Sequence, residues 1–311
     1  MRFGWRDLAQ TTLILVAAYA LLTTLVGLDW DTVRATWADA TWTWVIIGLV
    51  VAQGTAVVDA ISTMSAVTTR LPLWPMVQIQ YAIKTLGLAV SASVGRLALN
   101  TSFLRRYGEG PSVAVSAVAL DAAAASLCNV LVVGLGLLLA DQMPDNELSG
   151  PGDLEKLMAA LVIAIVVSVV TLVVVPKLRR KVAEAIRSTW ASLKVVTASP
   201  ARALLMFGTN LASLLITGIT LACMCAGLYP GVSFGQAVFV VGAAALFSAL
   251  IPVPGNVGVA EAALAAGLVA VGVPSGPAFA IAVTQRIATS YLPDIYGGWA
   301  LRWLRKEDYI D

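Results

Sequence analysis

Pro252-Val253-Pro254-Gly255-Asn256-Val257-Gly258-Val259-Ala260-Glu261 interrupts a long apolar segment and places a carboxylate directly after the interruption. Apolar sequence lies on both sides, so a loop in water explains neither the break nor the charge. In a bilayer, non-helical backbone persists only where protein or a water-filled cavity shelters it. An ionisable group at membrane depth is by default a functional-site hypothesis. The segment therefore predicts a broken membrane helix and a site beside it.

The composition is that of an integral membrane protein. Of 311 residues, 59% are apolar and 12% are charged, and the mean hydropathy is +0.86, whereas a soluble domain carries about 25% charged residues. The net charge of +2 gives no indication of nucleic-acid binding. The chain has no histidine, the commonest metal ligand and general base. We therefore expect one membrane domain, residues 1–311, with no catalytic residues, no metal and no cofactor.

Hydropathy predicts an all-α polytopic protein. A membrane-crossing helix needs about 20 apolar residues. Six segments satisfy this requirement: 8–27, 42–66, 112–140, 157–175, 203–227 and 275–301. Two further apolar segments, 74–103 and 235–273, are interrupted.

The charged loops predict the orientation. Basic residues precede the first span, follow the second and the last, flank 74–103 and fill the loop after the fourth, while the remaining loops are acidic or neutral. Because basic loops stay cytoplasmic, both termini are expected there, in the cell membrane. A first half at 8–140 and a second half at 157–311 then flank an outer loop at 141–156. Residues 177–197, basic with apolar residues at helical spacing, predict a cytoplasmic amphipathic helix.

This orientation is consistent only if each interrupted segment enters and leaves on the same side. Each is then a broken or re-entrant helical hairpin, one from each face of the membrane. The two halves also align, since 108–114 matches 272–278 and Asp121 falls beside Gln285. Upstream, 91–95 falls against 254–258, which places Gly95 and Gly258 in the two hairpin turns. Inverted repeats with broken helices are typical of transporters with a midplane site.

Charged residues recur within the apolar segments, and each costs about 2.5 kcal/mol or more near the bilayer centre. Arginine, lysine and the N-termini of broken helices suit an anionic group such as phosphate. Glu261 could orient a cation or carry a proton. The alternative is that these charges are internal ion pairs, which holds at least as well for Asp59 and Asp294. The predicted substrate-binding residues are Arg96, Arg286, Lys84, Glu261, Asp121, Gln285 and Asn256, and the predicted turn residues are Pro252, Pro254, Gly255, Gly258 and Gly95.

From Pro252 to Glu261, and at Gly272 and Gln285-Arg286, the chain resembles the transmembrane domain of lysylphosphatidylglycerol synthases, the membrane half of the multiple-peptide-resistance-factor proteins. The family pattern after the prolines is Gly-Gly-x-Gly-x-x-Glu, and here Asn256 replaces its second glycine. Looser similarity, including Gly95-Arg96 and 105–108, extends over 8–303. The resemblance implies movement of lipids between leaflets. We expect a stand-alone member, without the aminoacyl-transfer domain and its activity.

Three functions are compatible with these features. The favoured one is a flippase or scramblase for an anionic phospholipid or a polyprenyl-phosphate-linked sugar. A membrane-embedded polyprenyl-pyrophosphate phosphatase is an alternative, although the turn at 254–258 offers no serine or threonine nucleophile. A non-transporting partner that docks a glycosyltransferase or synthase through 177–197 is the third.

Overall fold

The computed structural model describes residues 30–89, 92–140, 200–250 and 256–310, and within these ranges it is helical and contains no strand. We number the helices in chain order. They are α1 (Trp30–Ala38), α2 (Trp42–Ser65), α3 (Leu73–Ala89), α4 (Ala92–Arg106), α5 (Pro111–Ala140), α6 (Pro200–Leu228), α7 (Phe234–Leu250), α8 (Val259–Ala270), α9 (Ser275–Arg286), a π-helical turn (Ile287–Tyr291) and α10 (Leu292–Lys306).

Three of the described helices are long and apolar enough to cross a membrane: Trp42–Ser65, Pro111–Gly136 and Pro200–Leu228. They coincide with three of the predicted spans. Large apolar side chains on these helices are exposed, among them Val50 at 69% and Leu204 at 76%. Such a surface suits contact with lipid. The predicted spans 8–27 and 157–175, the outer loop 141–156 and the amphipathic helix 177–197 lie outside the described residues.

Both interrupted segments form pairs of helices. Segment 74–103 becomes α3 and α4, which pack on each other, and segment 235–273 becomes α7 and α8, which do the same. Each helix is too short to be among the three spanning candidates, since α3 and α7 have 17 residues and α8 has 12. Each interrupted segment therefore consists of two short helices that pack on each other, and their description as membrane hairpins stays a prediction. Their entry from opposite membrane faces stays a prediction.

The packing pattern repeats between the two halves. In the first half α2 contacts α3, α3 contacts α4, and α4 contacts α5. In the second half α6 contacts α7, α7 contacts α8, and α8 contacts α9. Across the halves α2 packs along α6, while α3 packs on α10 and α7 packs on α5. When α9, the π-helical turn and α10 are taken together as the equivalent of α5, these contacts are similar in the two halves, whereas α1 has no counterpart among the described helices.

Two apolar clusters surround the two hairpins. One joins α1, α7, α8 and α9 to one end of α2 and of α6, and it includes Leu221, Leu268 and Ile281. The other joins α3, α4 and the end of α10 to the opposite end of α2, and it includes Met76 and Phe103.

The structure differs from the sequence prediction at three places. Residues 30–38, assigned to an outer loop, form α1, which packs on α9 through an edge-to-face contact between Trp30 and Phe279. The last predicted span, 275–301, continues to Lys306 and contains the π-helical turn. Gly95, predicted as a turn residue, lies inside α4. There its backbone approaches α3, and a β-carbon would lie 3.3 Å from the Leu86 β-carbon.

The contact between α3 and α10 depends on Gly297. A β-carbon at this position would overlap the carbonyl oxygen of Tyr81 and the hydroxyl of Thr85, whereas one at Gly298 would meet no atom within 4 Å. We therefore expect Gly297→Ala to lower stability by about 1–3 kcal/mol through overpacking. Gly298→Ala should have no such cost, because a β-carbon there meets no atom of the described residues within 4 Å. Both variants gain the same helix propensity, so the difference between them measures the overpacking alone.

Thermal unfolding of the purified variants in detergent measures this difference. Gly298→Ala is the matched control, one residue further along the same helix. Equal melting temperatures for the two variants would contradict the close approach of α3 and α10.

Candidate functional site

The first element of the candidate site is the turn before α8. Asn256 has φ +51° and Gly258 has φ +82°, both in the left-handed region. Glycine adopts this region without steric cost and asparagine is among the few other residues that tolerate it. Asn256 thus keeps a glycine-like backbone at the position where the family pattern has glycine. Pro252, Pro254 and Gly255 of the predicted turn lie outside the described residues.

Glu261 is fixed by the turn that it follows. It is buried in the first turn of α8, and its Oε2 accepts a 2.7 Å hydrogen bond from the N–H of Gly258. Its Oε1 accepts a 3.1 Å hydrogen bond from Nε of Arg286 and another from the hydroxyl of Tyr291. This geometry is the second half of a capping box, with a carboxylate at the positive end of the helix. The cation that Glu261 contacts in the structure is Arg286.

Arg286 also contacts two residues of the π-helical turn that follows it. Its Nη1 lies 2.5 Å from Oγ of Ser290, and its guanidinium lies 5.6 Å from the centre of the Tyr291 ring. The side chains of the ion pair are only 13% exposed for Arg286 and 7% for Glu261. Burial strengthens the attraction between the two charges but also costs their desolvation, so the main effect of the pair is that the loss of either partner would be strongly destabilising. Here it ties α8 to the helix that follows it.

A second buried carboxylate lies in the first half. Asp121 on α5 is 2% exposed. Its oxygens accept hydrogen bonds from Ser62 at 2.5 Å, Thr63 at 3.2 Å and Asn210 at 3.1 Å. Arg96 on α4 completes the set, 3.7 Å from Oδ2. Asp121 thus joins α2, α4, α5 and α6, and Arg96 pairs with it instead of with Glu261.

The two ion pairs have the same sequence spacing and the opposite order of charges. Arg96 and Asp121 are 25 residues apart, and so are Glu261 and Arg286, because 121 − 96 and 286 − 261 are equal. Each pair links the second helix of a hairpin to the long helix after it. In the first half the hairpin carries the cation, and in the second half it carries the anion. The order of the two charges is therefore reversed between the halves, while their spacing along the sequence is the same.

Lys84 lies between the two pairs and is held by the π-helical turn. The N–H of Leu292 donates to Ile287 in the π pattern, and Pro293 has no N–H to donate. The carbonyls of Ala288 and Thr289 therefore lose the donors that an α-helix would supply. Lys84 Nζ donates to Thr289 at 2.7 Å, and Gln53 Nε2 donates to Ala288 at 3.2 Å. A π-helical turn of this kind is frequent at functional sites.

Two further carboxylates surround Lys84. Asp59 on α2 is partly buried and interacts electrostatically with Lys84, Arg96 and Asp121. Asp294 on α10 interacts electrostatically with Lys84 and Arg286. Among the described residues, neither carboxylate has an ion-pair partner within 4 Å. Lys84 thus connects the two ion pairs electrostatically.

A pocket of about 570 Å³ opens beside Lys84 and Arg96. Its other walls are apolar. They comprise Ile83, Leu97, Val115, Val118, Ala119, Ala122 and Ala125. The five residues from α5 recur at helical spacing and form one smooth face. Leu97 and Val115 are 40% and 43% exposed, so the pocket reaches the apolar outer surface. It therefore places two cations at the inner end of an apolar groove.

The structure brings Lys84, Arg96 and Asp121 together in one place and Glu261 and Arg286 in another. Gln285 lies next to Arg286 in sequence but donates to the Thr217 carbonyl on α6. Its Oε1 is buried and has no hydrogen-bond partner within the part of the chain that the structure describes. The sequence prediction did not include several residues that complete the two pairs: Ser62, Thr63, Asn210, Ser290 and Tyr291. Pro293 within an apolar segment was the available signal for the π-helical turn.

The fold and the site define a multi-pass α-helical membrane protein with charged residues paired in its interior. Residues 11–297 match the family described as the lysylphosphatidylglycerol synthase TM region, which covers nearly the whole chain. The protein belongs to this family, as the pattern from Pro252 to Glu261 predicted. No significant match to a curated protein was found.

The Glu261–Arg286 pair can be tested by a double-mutant cycle. We expect Glu261→Ala and Arg286→Ala each to lower stability by about 3–5 kcal/mol, because each leaves a buried charge without its partner. The double variant should lose less than the sum, with a coupling energy of about 1–3 kcal/mol.

Unfolding free energies in mixed micelles provide the measurement. The control cycle is Asp31→Ala with Arg34→Ala, an exposed pair at 3.7 Å whose coupling should stay below about 1 kcal/mol. If the coupling of the buried pair does not exceed that of the exposed pair, Glu261 and Arg286 do not form the contact described here.

Proposed function

We propose that the protein is a lipid transporter that moves an anionic lipid headgroup between the leaflets of the membrane. The pocket that places Lys84 and Arg96 at the end of an apolar groove carries this proposal. A lipid has the same two parts, a phosphate that needs cations and chains that need apolar surface. The family supports a lipid-related role in the membrane, and the finer activity is our inference.

The two cations suit a phosphate in different ways. Arg96 offers a planar fork that can bind two phosphate oxygens, and Lys84 offers a point charge with three donors. Arg96 already uses a 3.7 Å contact to Asp121, longer than a direct hydrogen bond. A phosphate approaching through the pocket could therefore bind Arg96 without removing Asp121 from its other donors.

The apolar face of α5 suits the chains of the lipid. Alanine and valine side chains leave a shallow surface with few protruding atoms, and the exposed edge of the pocket lets chains remain in the surrounding bilayer. Only the headgroup then needs a polar path. Arg286, paired with Glu261, interacts electrostatically with Lys84. We therefore take Arg286 as the next cation along that path.

Transport can be tested with purified protein in phosphatidylcholine vesicles that contain a trace of fluorescent phosphatidylglycerol, by following the fluorophore that becomes accessible to an external quencher. We expect protein-containing vesicles to exchange the lipid faster than protein-free ones. Arg96→Ala and Lys84→Ala should each slow exchange roughly tenfold or more, because a hydrogen bond to a charged group contributes about 1.5–3 kcal/mol.

Two controls separate binding from folding. Arg34→Ala removes an exposed basic residue far from the pocket and should exchange lipid like the unmodified protein. Arg96→Lys keeps a charge beside Asp121 but loses the fork, so we expect a folded protein with intermediate exchange. Unchanged exchange in both Arg96→Ala and Lys84→Ala would exclude the pocket. Unchanged exchange in Glu261→Ala and Arg286→Ala would exclude the second pair from the path.

A further inference from the structure

Helix α5 carries two polar side chains on the face that lines the pocket, and the proposed transport path gives them no role. Ser126 and Asn129 come four residues after Ala122 and Ala125, which both line the pocket. Residues four apart lie one above the other on the same face of a helix. The pocket face of α5 therefore continues into two polar side chains.

Both side chains already donate to the backbone of α5, which leaves their oxygens as acceptors. The hydroxyl of Ser126 donates to the Ala122 carbonyl at 2.9 Å, and Nδ2 of Asn129 donates to the Ala125 carbonyl at 2.9 Å. Oδ1 of Asn129 is buried, and no donor among the described residues reaches it. A buried acceptor without a donor is costly. This end of the pocket face therefore suits a ligand that donates hydrogen bonds.

Helix α7 covers the same face of α5 beyond Asn129. A β-carbon at Gly242 on α7 would lie 3.9 Å from Oδ1 of Asn129 and 3.0 Å from a methyl group of Val133. Further along α5, a β-carbon at Gly136 would lie 2.7 Å from the ring of Phe239 on α7. Within the described helices, the open part of the pocket face thus ends at Asn129.

The order of groups along α5 matches the order of parts in a lipid. Val115, which is 43% exposed, lies at the end that opens to the apolar outer surface. Arg96 contacts Asp121 in the middle of the face. Ser126 and Asn129 follow about 7.5 Å and about 12 Å further along the helix axis. The face therefore presents, in order, an apolar opening, a cation and hydrogen-bond acceptors.

The donor that fits the acceptors is a neutral one. Past Asp121, α5 has no charged residue, and α7 has none along its whole length. An ammonium group at this end would lack a carboxylate, and an unpaired charge in an apolar environment is costly. A phosphate oxygen is itself an acceptor and cannot pair with these oxygens. A hydroxyl group supplies a donor without a charge.

We infer that the headgroup of the transported lipid carries hydroxyl groups, as glycerol or a sugar does, and that Ser126 and Asn129 bind them. The phosphate binds Lys84 and Arg96, the chains leave at the Val115 end, and the hydroxylated group points towards α7. This inference rests on the proposed function and adds to it the class of headgroup. The cations bind any anionic phospholipid, whereas the two acceptors select among headgroups.

Binding to the whole chain in detergent tests the inference without requiring transport. Short-chain phosphatidylglycerol is compared with short-chain phosphatidylethanol, because both carry one negative phosphodiester charge and only phosphatidylglycerol has headgroup hydroxyls. We expect phosphatidylglycerol to bind more tightly, by about two- to tenfold for each hydrogen bond. Ser126→Ala and Asn129→Leu should each reduce this preference and leave the affinity for phosphatidylethanol unchanged.

Ser116→Ala is the matched control for Ser126→Ala. Ser116 lies on the same helix, about 100° around its axis from the pocket residue Val115, and does not line the pocket. It should keep the full preference for phosphatidylglycerol. Ser126 is exposed, so its substitution tests the site independently of how well Asn129→Leu folds.

Three results would overturn the inference: equal affinity of the unmodified protein for the two lipids, a preference that persists in both Ser126→Ala and Asn129→Leu, or an equal loss of preference in Ser116→Ala. Phosphatidylethanolamine that binds as tightly as phosphatidylglycerol would overturn the assignment of a neutral donor. Failure of the proposed function gives a different result, namely a preference for phosphatidylglycerol in detergent with no lipid exchange in vesicles.

Discussion

A charge between apolar helices needs a partner, and this requirement organises the interior of the protein. Three cations, Lys84, Arg96 and Arg286, lie among the carboxylates of Asp59, Asp121, Glu261 and Asp294 in the described helices. Each closely paired carboxylate also accepts hydrogen bonds from neutral donors. The helices that supply these partners are thereby held in register, because the loss of one partner would leave the other charge buried alone.

The π-helical turn shows the same requirement applied to the backbone. Buried carbonyls need donors as much as charges need counter-charges. Pro293 and the π pattern remove the backbone donors from Ala288 and Thr289, and side chains of α2 and α3 replace them. The turn therefore fixes Lys84 in the centre of the charged network. A change in its helical pattern would release Lys84 and alter the field at both ion pairs.

The sequence predicted those features that depend on local pattern. Long apolar runs and the break near Pro252 were enough to find three spans, the two interrupted segments that form pairs of short helices, and the family. The break also pointed to Glu261, for which the sequence left the cation partner open. In the structure this partner is Arg286, while Arg96 pairs with Asp121. The three donors to Asp121 and its ion-pair partner Arg96 come from three different helices, and no sequence spacing indicates which helices meet. Helix α1 was missed because its polar composition suited a loop.

The reversed order of charges in the two ion pairs affects how an anionic headgroup would pass from the first half to the second in the proposed transport. If both hairpins carried a cation, an anionic headgroup would find similar partners on each, and little would favour its passage from one to the other. Here only the first hairpin presents its own cation, Arg96, whereas the second presents Glu261 and keeps its cation on the following helix. A phosphate moving from Arg96 towards Arg286 must therefore displace Glu261 from that arginine. The carboxylate retains the Gly258 N–H and the Tyr291 hydroxyl as donors, and these hydrogen bonds offset part of the cost of separating its charge from the arginine.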